Sequence, residues 1–121
     1  MYDKENVFAK ILRGEIPARV IYENGHALSF WDINPGSTKH VLIIPRGEYT
    51  DVLDFTKNAS AAEQAAFWDA FNKTAEILEI SDDCNVLANV GNGVFCRQSV
   101  PHYHLHLLGG DKLMSWDEFT K

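Results

Sequence analysis

Three histidines that alternate with apolar residues constrain the fold of this chain more than any other feature. His102, His104 and His106 are separated by a tyrosine and a leucine. On a β-strand, side chains two apart share a face, so the imidazoles would form a row spaced about 6.5 Å apart, opposite a core side. A helix would rotate each successive histidine by about 200° and place polar groups on both faces. The alternation therefore predicts a strand over residues 102–108.

The histidine row (residues 102, 104 and 106) favours nucleophilic chemistry at its centre. A nucleophilic histidine has to be neutral, with one ring nitrogen donating to a carbonyl so that the other presents its lone pair. Flanking imidazoles can bind phosphoryl oxygens and relay a proton to a leaving group. Just upstream, Gln98, Ser99 and the loop N–H groups are donors of the kind that stabilise an oxyanion. We therefore predict that His104 is a nucleophile towards phosphorus.

Two other interpretations of the row stay open on the sequence alone. Three imidazoles in register could be purely structural, although burying them without a role costs free energy. A His-x-His pair on a strand is also a zinc-binding geometry, and His40 could supply a further ligand. No Asp or Glu within the row segment could orient a histidine ligand, although one could come from elsewhere in the fold. We expect neither a metal nor a cofactor.

The remaining patterns predict one α+β domain over the whole 121-residue chain, with a five-stranded antiparallel sheet, one short helix and one long helix. Apolar residues fall at helical spacing from Asn6 to Arg13, and Gly14 follows as a left-handed C-terminal residue. Ser60 and Glu63 form a capping box that begins a helix of about five turns. Asn24-Gly25 favours a tight hairpin turn. The predicted strands are residues 20–22, 27–31, 40–44, 85–90 and 102–108.

Composition limits the compartment and the class of ligand. Residues 1–5 lack the basic start and apolar core of a secretion signal, and no apolar run is long enough to span a bilayer, so we expect a cytoplasmic protein without membrane partners. Cys84 and Cys96 fit free thiols. The formal net charge of −6 argues against a nucleic-acid groove. A small phosphorylated ligand remains compatible with that charge, because backbone amides and a few side chains can bind it.

The segment Gln98–Gly110 resembles the histidine triad family, and specifically its nucleotide-binding phosphoramidase branch. Its order of residues, His-apolar-His-apolar-His-apolar-apolar, follows the pattern of that family. The segments Val7–Ala18, Phe30–Pro35 and His40–Pro45 extend the resemblance, which covers the chain from about residue 6 to residue 116. The resemblance implies a single domain of the histidine triad fold over residues 1–121.

The resemblance also implies a hydrolase of adenosine or guanosine 5′-phosphoramidates that needs no cofactor. His104 would attack the α-phosphorus and become nucleotidylated, and water would then release the nucleoside monophosphate. His106 and His102 would bind phosphate oxygens and fix the ring, while His40 would assist proton transfer. The residues that it implies for nucleotide binding are Asn89, Gln98 and Ser99 at the phosphate and leaving group, Asp32 at the ribose hydroxyls, and Ile33, Phe30, Val7, Phe8 and Ile11 around the purine.

Several alternatives accompany this resemblance. A dinucleoside polyphosphate hydrolase would use the same nucleophile against a P–O–P bond, and a nucleotide-binding interaction module would hydrolyse only incidentally. The apolar residues assigned to the purine could equally be ordinary core. The segment 91–97 is about two residues longer than in relatives, and Cys96-Arg97 stands where they carry Gly-Gly. Arg97 either contacts phosphate or points into solvent.

The resemblance further implies a homodimer. The last strand region and the long helix would pair with their counterparts in the second copy, and Trp116 would reach towards the partner's pocket.

Overall fold

The computed structural model describes residues 1–113, so Trp116 lies outside the described residues. The helices are α1 (Val7–Leu12), α2 (Val52–Asn58) and α3 (Ala61–Ile77), and the strands are β1 (Val20–Glu23), β2 (Ala27–Trp31), β3 (Ser37–Pro45), β4 (Asn85–Leu87) and β5 (Leu105–Lys112). The strands form one antiparallel sheet in the order β1-β2-β3-β5-β4. The predicted α+β class is therefore confirmed. No helix within residues 1–113 is long and apolar enough to cross a membrane.

The helix boundaries follow local capping signals. Gly14, just past α1, has φ of 79°, which a glycine adopts without strain. The Ser60 side chain accepts from the Glu63 N–H, and the Glu63 carboxylate accepts from the Ser60 N–H, so the predicted capping box begins α3. Helix α2 was not predicted. Its cap is Asp51, whose side chain accepts from the Asp54 N–H.

Strands β3 and β5 form the centre of the sheet and bring distant histidines together. Their register places Leu42 opposite His106 and His40 opposite Leu108. Because residues two apart share a face, His40 and His106 lie on the same face in diagonal positions. The β3–β5 pairing thus joins the middle of the chain to the histidine row.

The two faces of the sheet carry separate apolar clusters. Helix α3 packs across β1, β2 and β3 on one face, which we call the core face. The core-face cluster consists of Ala27, Val41, Ile43, Phe55, Phe67, Ala70, Ala75, Leu78, Ile80, Tyr103, Leu105 and Leu107. The opposite face, which we call the pocket face, is covered by the six-residue α1 and has a smaller cluster of Phe8, Leu28, Phe30, Leu42 and Ile44. The pocket face is therefore the less completely covered of the two.

Three local predictions are wrong. The last strand begins at Leu105 rather than at residue 102, so His102 and His104 precede it, and β4 ends at Leu87. The Tyr103 N–H donates to the Tyr49 carbonyl (2.7 Å) instead of to a neighbouring strand.

The Asn24-Gly25 turn lacks the positive φ angles of the tight hairpin type. The Asn24 side chain instead accepts from the N–H groups of residues 26 and 27.

Candidate active site

A cavity of about 330 Å³ opens on the pocket face beside α1. Nine residues that the sequence analysis assigned to the site line it: Val7, Phe8, Ile11, Phe30, Asp32, Ile33, Ser99, His104 and His106. The lining is mostly apolar and includes a few polar side chains, as is typical of a small-molecule site. The cavity therefore joins the expected nucleophile to the expected base-binding residues.

His104 has the geometry of a nucleophilic imidazole. Its Nδ1 lies 2.8 Å from the backbone carbonyl oxygen of His102. A carbonyl can only accept, so the proton of the neutral ring is on Nδ1 and the lone pair is on Nε2. The side chain is buried at 4% exposure, and the Phe8 ring packs edge-on against it with centroids 4.9 Å apart. The ring orientation is thus set from two sides.

His106 and His40 form a second hydrogen-bonded unit next to His104. The Gly36 N–H donates to His40 Nδ1 (2.8 Å), so the neutral His40 ring has its proton on Nε2. His40 Nε2 lies 2.9 Å from His106 Nδ1 and 3.3 Å from Asp32 Oδ2. With His40 as the donor, His106 accepts at Nδ1 and keeps its own proton on Nε2. His106, which lines the cavity, then carries a hydrogen-bond donor at Nε2.

Burial keeps these imidazoles neutral. It lowers the pKa of His106 to about 3, with the neighbouring histidines adding to the effect. Burial also lowers the pKa of His104, against the opposing effects of its hydrogen bond to the His102 carbonyl and the charge of Asp32. Burial likewise lowers the pKa of His40, and the Asp32 carboxylate partly opposes that shift. Neutral rings are what both the nucleophile and the His40–His106 hydrogen bond require.

His102 lies behind the cavity rather than in its lining. The ring is fully buried, with Nε2 at 2.9 Å from the Pro45 carbonyl oxygen and Nδ1 at 2.5 Å from the Tyr2 hydroxyl. Burial lowers its pKa to about 4. With both ring nitrogens engaged inside the protein, His102 is not placed to bind phosphate oxygens. Its contribution to the site is the backbone carbonyl that holds His104.

Asp32, His40 and His106 bring three candidate metal ligands close together. Their candidate ligand atoms lie within 4.8 Å of one another. The row segment itself contains no Asp or Glu. The carboxylate next to its histidines comes from Asp32, which directly follows β2. A metal would need the lone pair of His40 Nε2. Because His40 Nδ1 accepts the Gly36 N–H, the proton of the neutral ring is on Nε2, which is therefore a donor. The cluster thus favours hydrogen bonding over metal binding.

The predicted phosphate contacts upstream of the row are only partly brought to the cavity. Ser99 lines the cavity, whereas Asn89, Arg97 and Gln98 do not. The Gln98 amide donates to the carbonyls of Thr50 (2.5 Å) and Val100 (2.9 Å), so this side chain supports the loop. Arg97 is exposed, and its backbone bridges to Asn92 across the segment 91–97.

Sequence reasoning missed six residues of the lining. They are Ile16, Pro17, Ala18, Asn34, Leu42 and Val100. The run 16–18 follows the C-terminal glycine of α1, and its apolar character was the available signal. Leu42 alternates with His40 on β3, and that spacing of two was the corresponding signal for the pocket face.

Comparison with known proteins agrees with this architecture. The family model of the HIT domain matches residues 13–113. An uncharacterized 13.2 kDa HIT-like protein of Azospirillum brasilense is 42% identical over 113 residues, which are 93% of this chain and 91% of the relative.

Two solved structures share the fold. A HIT family hydrolase from Clostridium thermocellum has a TM-score of 0.72 at 32% identity, with 93% of this chain and 96% of that chain covered. A histidine triad nucleotide-binding protein from Candida albicans has a TM-score of 0.74 at 26% identity, with 95% and 90% covered. The chain belongs to the HIT domain family.

Proposed function

We propose that this protein hydrolyses the P–N bond of purine nucleoside 5′-phosphoramidates through a covalent nucleotidyl-His104 intermediate. The observation that carries the proposal is the 2.8 Å hydrogen bond from His104 Nδ1–H to the His102 carbonyl. It leaves Nε2 as the nucleophilic nitrogen of a neutral ring that lines a cavity. The hydrolase and nucleotide-binding descriptions of the two structural neighbours support the same chemistry.

The reaction runs in two displacements at phosphorus. In the first, His104 Nε2 bonds to the α-phosphorus, the bond to the leaving nitrogen breaks, and that nitrogen takes a proton from a solvent water molecule to depart as an amine. In the second, a water oxygen bonds to phosphorus and the Nε2–P bond breaks, which releases the monophosphate. The attacking water loses a proton to solvent, which replaces the proton that the amine took. His104 Nδ1–H remains bonded to the His102 carbonyl, which stabilises the positive charge of the phosphorylated ring.

His106 supports both displacements from the side of the phosphoryl oxygens. Its Nε2–H donates to an oxygen whose negative charge grows as the fifth bond to phosphorus forms. The 2.9 Å contact with His40 keeps that proton on Nε2, because His106 Nδ1 is occupied as an acceptor. Ser99, at the rim, provides a hydroxyl for the phosphate or the leaving group. In this assignment His40 is a positioning residue.

The remainder of the cavity accommodates the nucleoside. Phe8, Phe30 and Ile11 offer apolar and aromatic surface for a purine ring. Asp32 accepts the Asn34 N–H at Oδ1 (2.8 Å) and retains further lone pairs for the ribose hydroxyls. The volume of about 330 Å³ fits one small ligand. We assign adenosine or guanosine 5′-monophosphate as the product.

His104→Asn tests the proposal directly. We expect turnover of adenosine 5′-phosphoramidate to fall by at least about a thousandfold, because the nucleophile is lost. Binding of AMP, measured by calorimetry, should stay close to wild type. His26→Asn is the matched control, because His26 is exposed on the hairpin loop and is not part of the lining. Mass spectrometry of quenched wild-type enzyme should find a nucleotidylated peptide containing residue 104.

Three results would contradict the proposal or redirect it. Near-native turnover by His104→Asn removes the nucleophile assignment. A strong preference for a diadenosine polyphosphate over the phosphoramidate changes the substrate to a P–O–P bond. Loss of activity on chelation that zinc restores replaces the metal-free mechanism by a metal site at Asp32, His40 and His106.

We also propose a cytoplasmic homodimer. The last strand, β5, lies between β3 and β4. Among the described residues, the strand at this edge of the sheet is therefore β4. An edge strand offers unpaired backbone groups to a second copy. Helix α3 presents the partly exposed Trp68 and Ile77. Sedimentation equilibrium should give the mass of a dimer, and a monomer at micromolar concentration would contradict it.

A further inference from the structure

Tyr2 contacts a histidine of the row and has no role in the proposed mechanism so far. Its hydroxyl lies 2.5 Å from Nδ1 of His102, and the two rings pack edge to face with centroids 5.6 Å apart. On the other side of the ring, Nε2 lies 2.9 Å from the Pro45 carbonyl oxygen. The His102 ring therefore spans from the N-terminal segment to the end of β3.

The contact with Pro45 determines the tautomer of His102, and the tautomer determines the role of Tyr2. The Pro45 carbonyl can only accept, so the ring proton is on Nε2 and Nδ1 is an acceptor. The Tyr2 hydroxyl is then the donor to Nδ1. Because His102 is fully buried, loss of that donor would leave an imidazole nitrogen without water to replace it. The low pKa of His102, about 4, agrees with a ring kept neutral by burial.

The same residue connects Tyr2 to the nucleophile. His104 Nδ1–H donates to the backbone carbonyl of His102, so the direction of that carbonyl sets the direction of the His104 ring. Phe8 packs edge-on against both imidazoles, at centroid distances of 6.3 Å for His102 and 4.9 Å for His104. A shift of His102 as a whole would therefore reach His104 through the backbone carbonyl, and a rotation of the His102 ring would reach it through Phe8.

The segment that carries Tyr2 is anchored. The Asn6 side-chain amide donates to the Asp3 carbonyl (2.7 Å), and its oxygen accepts from the Ala9 N–H (2.8 Å) at the start of α1. Arg13, at the end of the same helix, donates to the Lys4 carbonyl (2.8 Å). Helix α1 thus holds residues 3–6 at both of its ends and brings Tyr2 onto His102.

We propose that Tyr2 is a positioning residue for the nucleophile: its hydroxyl holds the His102 ring in place, and His102 in turn holds the His104 ring through its backbone carbonyl. The catalytic consequence rests on the proposed phosphoramidate hydrolysis. The effect on the imidazoles does not, because it follows from the hydrogen bonds alone.

Tyr2→Phe tests the inference by removing one hydroxyl and keeping the ring. We expect kcat for adenosine 5′-phosphoramidate to fall roughly tenfold at nearly unchanged KM, since a loosened nucleophile slows chemistry more than binding. In ¹⁵N-histidine spectra, the His102 Nδ1 resonance should move, with its assignment taken from the resonance missing in His102→Asn. Tyr22→Phe is the matched control, because its hydroxyl donates to the exposed Asp69 carboxylate (3.2 Å). It should leave kcat and the His102 resonance unchanged.

The outcomes separate the inference from the proposed function. An unmoved His102 resonance in Tyr2→Phe overturns the inference, and so does a kcat within about twofold of wild type. An equal loss of kcat in Tyr22→Phe also overturns it, since the effect would then not be specific to Tyr2. If wild-type protein turns over no nucleotide substrate, the proposed function fails, and the spectra alone decide whether Tyr2 sets His102.

Discussion

The two faces of the sheet bury their side chains with different results. On the core face, the Tyr103 ring packs against Phe55 and Phe67 with centroids 5.1 Å and 5.0 Å apart, under α2 and α3. On the pocket face, His104 and its neighbours lie under the short α1 beside an open cavity. Alternate residues of a single short segment thus serve a closed aromatic cluster and an accessible polar site.

Burial has different consequences for apolar and for titratable side chains. On the core face, burial removes apolar surface from water, which stabilises the fold. On the pocket face, burial lowers the pKa of His104 and His106 and so provides neutral imidazoles. The cost of burying those rings is offset by hydrogen bonds to the His102 carbonyl and to His40. Stability should therefore depend mainly on the core face and catalysis on the pocket face.

The largest expected effect on stability comes from truncating an aromatic ring on the core face. Phe67 is fully buried between Phe55 and Tyr103. We expect Phe67→Ala to lower the free energy of unfolding by about 3–5 kcal/mol, through lost burial and the cavity it leaves. The kcat of the remaining folded enzyme should stay near wild type. Urea unfolding and active-site-normalised kinetics measure the two quantities.

Phe8→Ala is the matched substitution on the pocket face. Phe8 borders the cavity and packs against His104, so water can enter the space that the ring leaves. We expect a smaller loss of stability than for Phe67→Ala and a larger loss of kcat. If Phe67→Ala impaired kcat more than Phe8→Ala did, stability and catalysis would not be divided between the two faces.

Mild acid should act mainly on the pocket face. Burial lowers the pKa of His102 to about 4 and of His106 to about 3, against about 6.5 in an unfolded chain. Below pH 6.5 the unfolded chain therefore binds more protons, so stability is complete above that pH and falls as the pH drops towards the folded-state values. We expect a loss of about 2 kcal/mol per histidine between pH 7 and pH 5.

Urea unfolding at several pH values measures this dependence. His106→Asn serves as the comparison, because it removes one buried imidazole. Its free energy of unfolding should fall less with acid than that of wild type, and the difference should equal the loss expected for one histidine. Identical slopes for the two proteins would contradict the pKa assignment of His106.

Local signals in the sequence predicted the parts of the fold that local contacts determine. The capping box at Ser60, the glycine after α1 and the alternation within residues 102–108 each depend on neighbours a few positions away. The alternation assigned the correct sides to Tyr103 and His104, although the strand itself begins only at Leu105. Residues 102–104 were misassigned to the strand because the Tyr103 N–H pairs with the Tyr49 carbonyl, outside the sheet.

The contacts within the site that no local pattern predicts depend on pairing between distant segments. Asp32, His40 and His106 meet because β2, β3 and β5 pair in one register, which no local pattern contains. The displacement of His102 from the cavity likewise depends on Pro45 and Tyr2. The row pattern could identify His104 as the central residue, but only the tertiary contacts distinguish a nucleophile from the histidine that supports it.

The smallest expected effect concerns a polar atom on the core face. The Tyr103 hydroxyl is buried and has no hydrogen-bond partner among residues 1–113, and burial raises its pKa. In contrast to the imidazoles opposite, this group adds desolvation cost without a compensating bond, so Tyr103→Phe should raise the free energy of unfolding by about 1 kcal/mol. Urea unfolding measures the change, and Tyr22→Phe, which removes a partly exposed hydroxyl, should be near neutral. A destabilised Tyr103→Phe would mean that the hydroxyl contributes a favourable interaction, and polar groups would then matter on both faces.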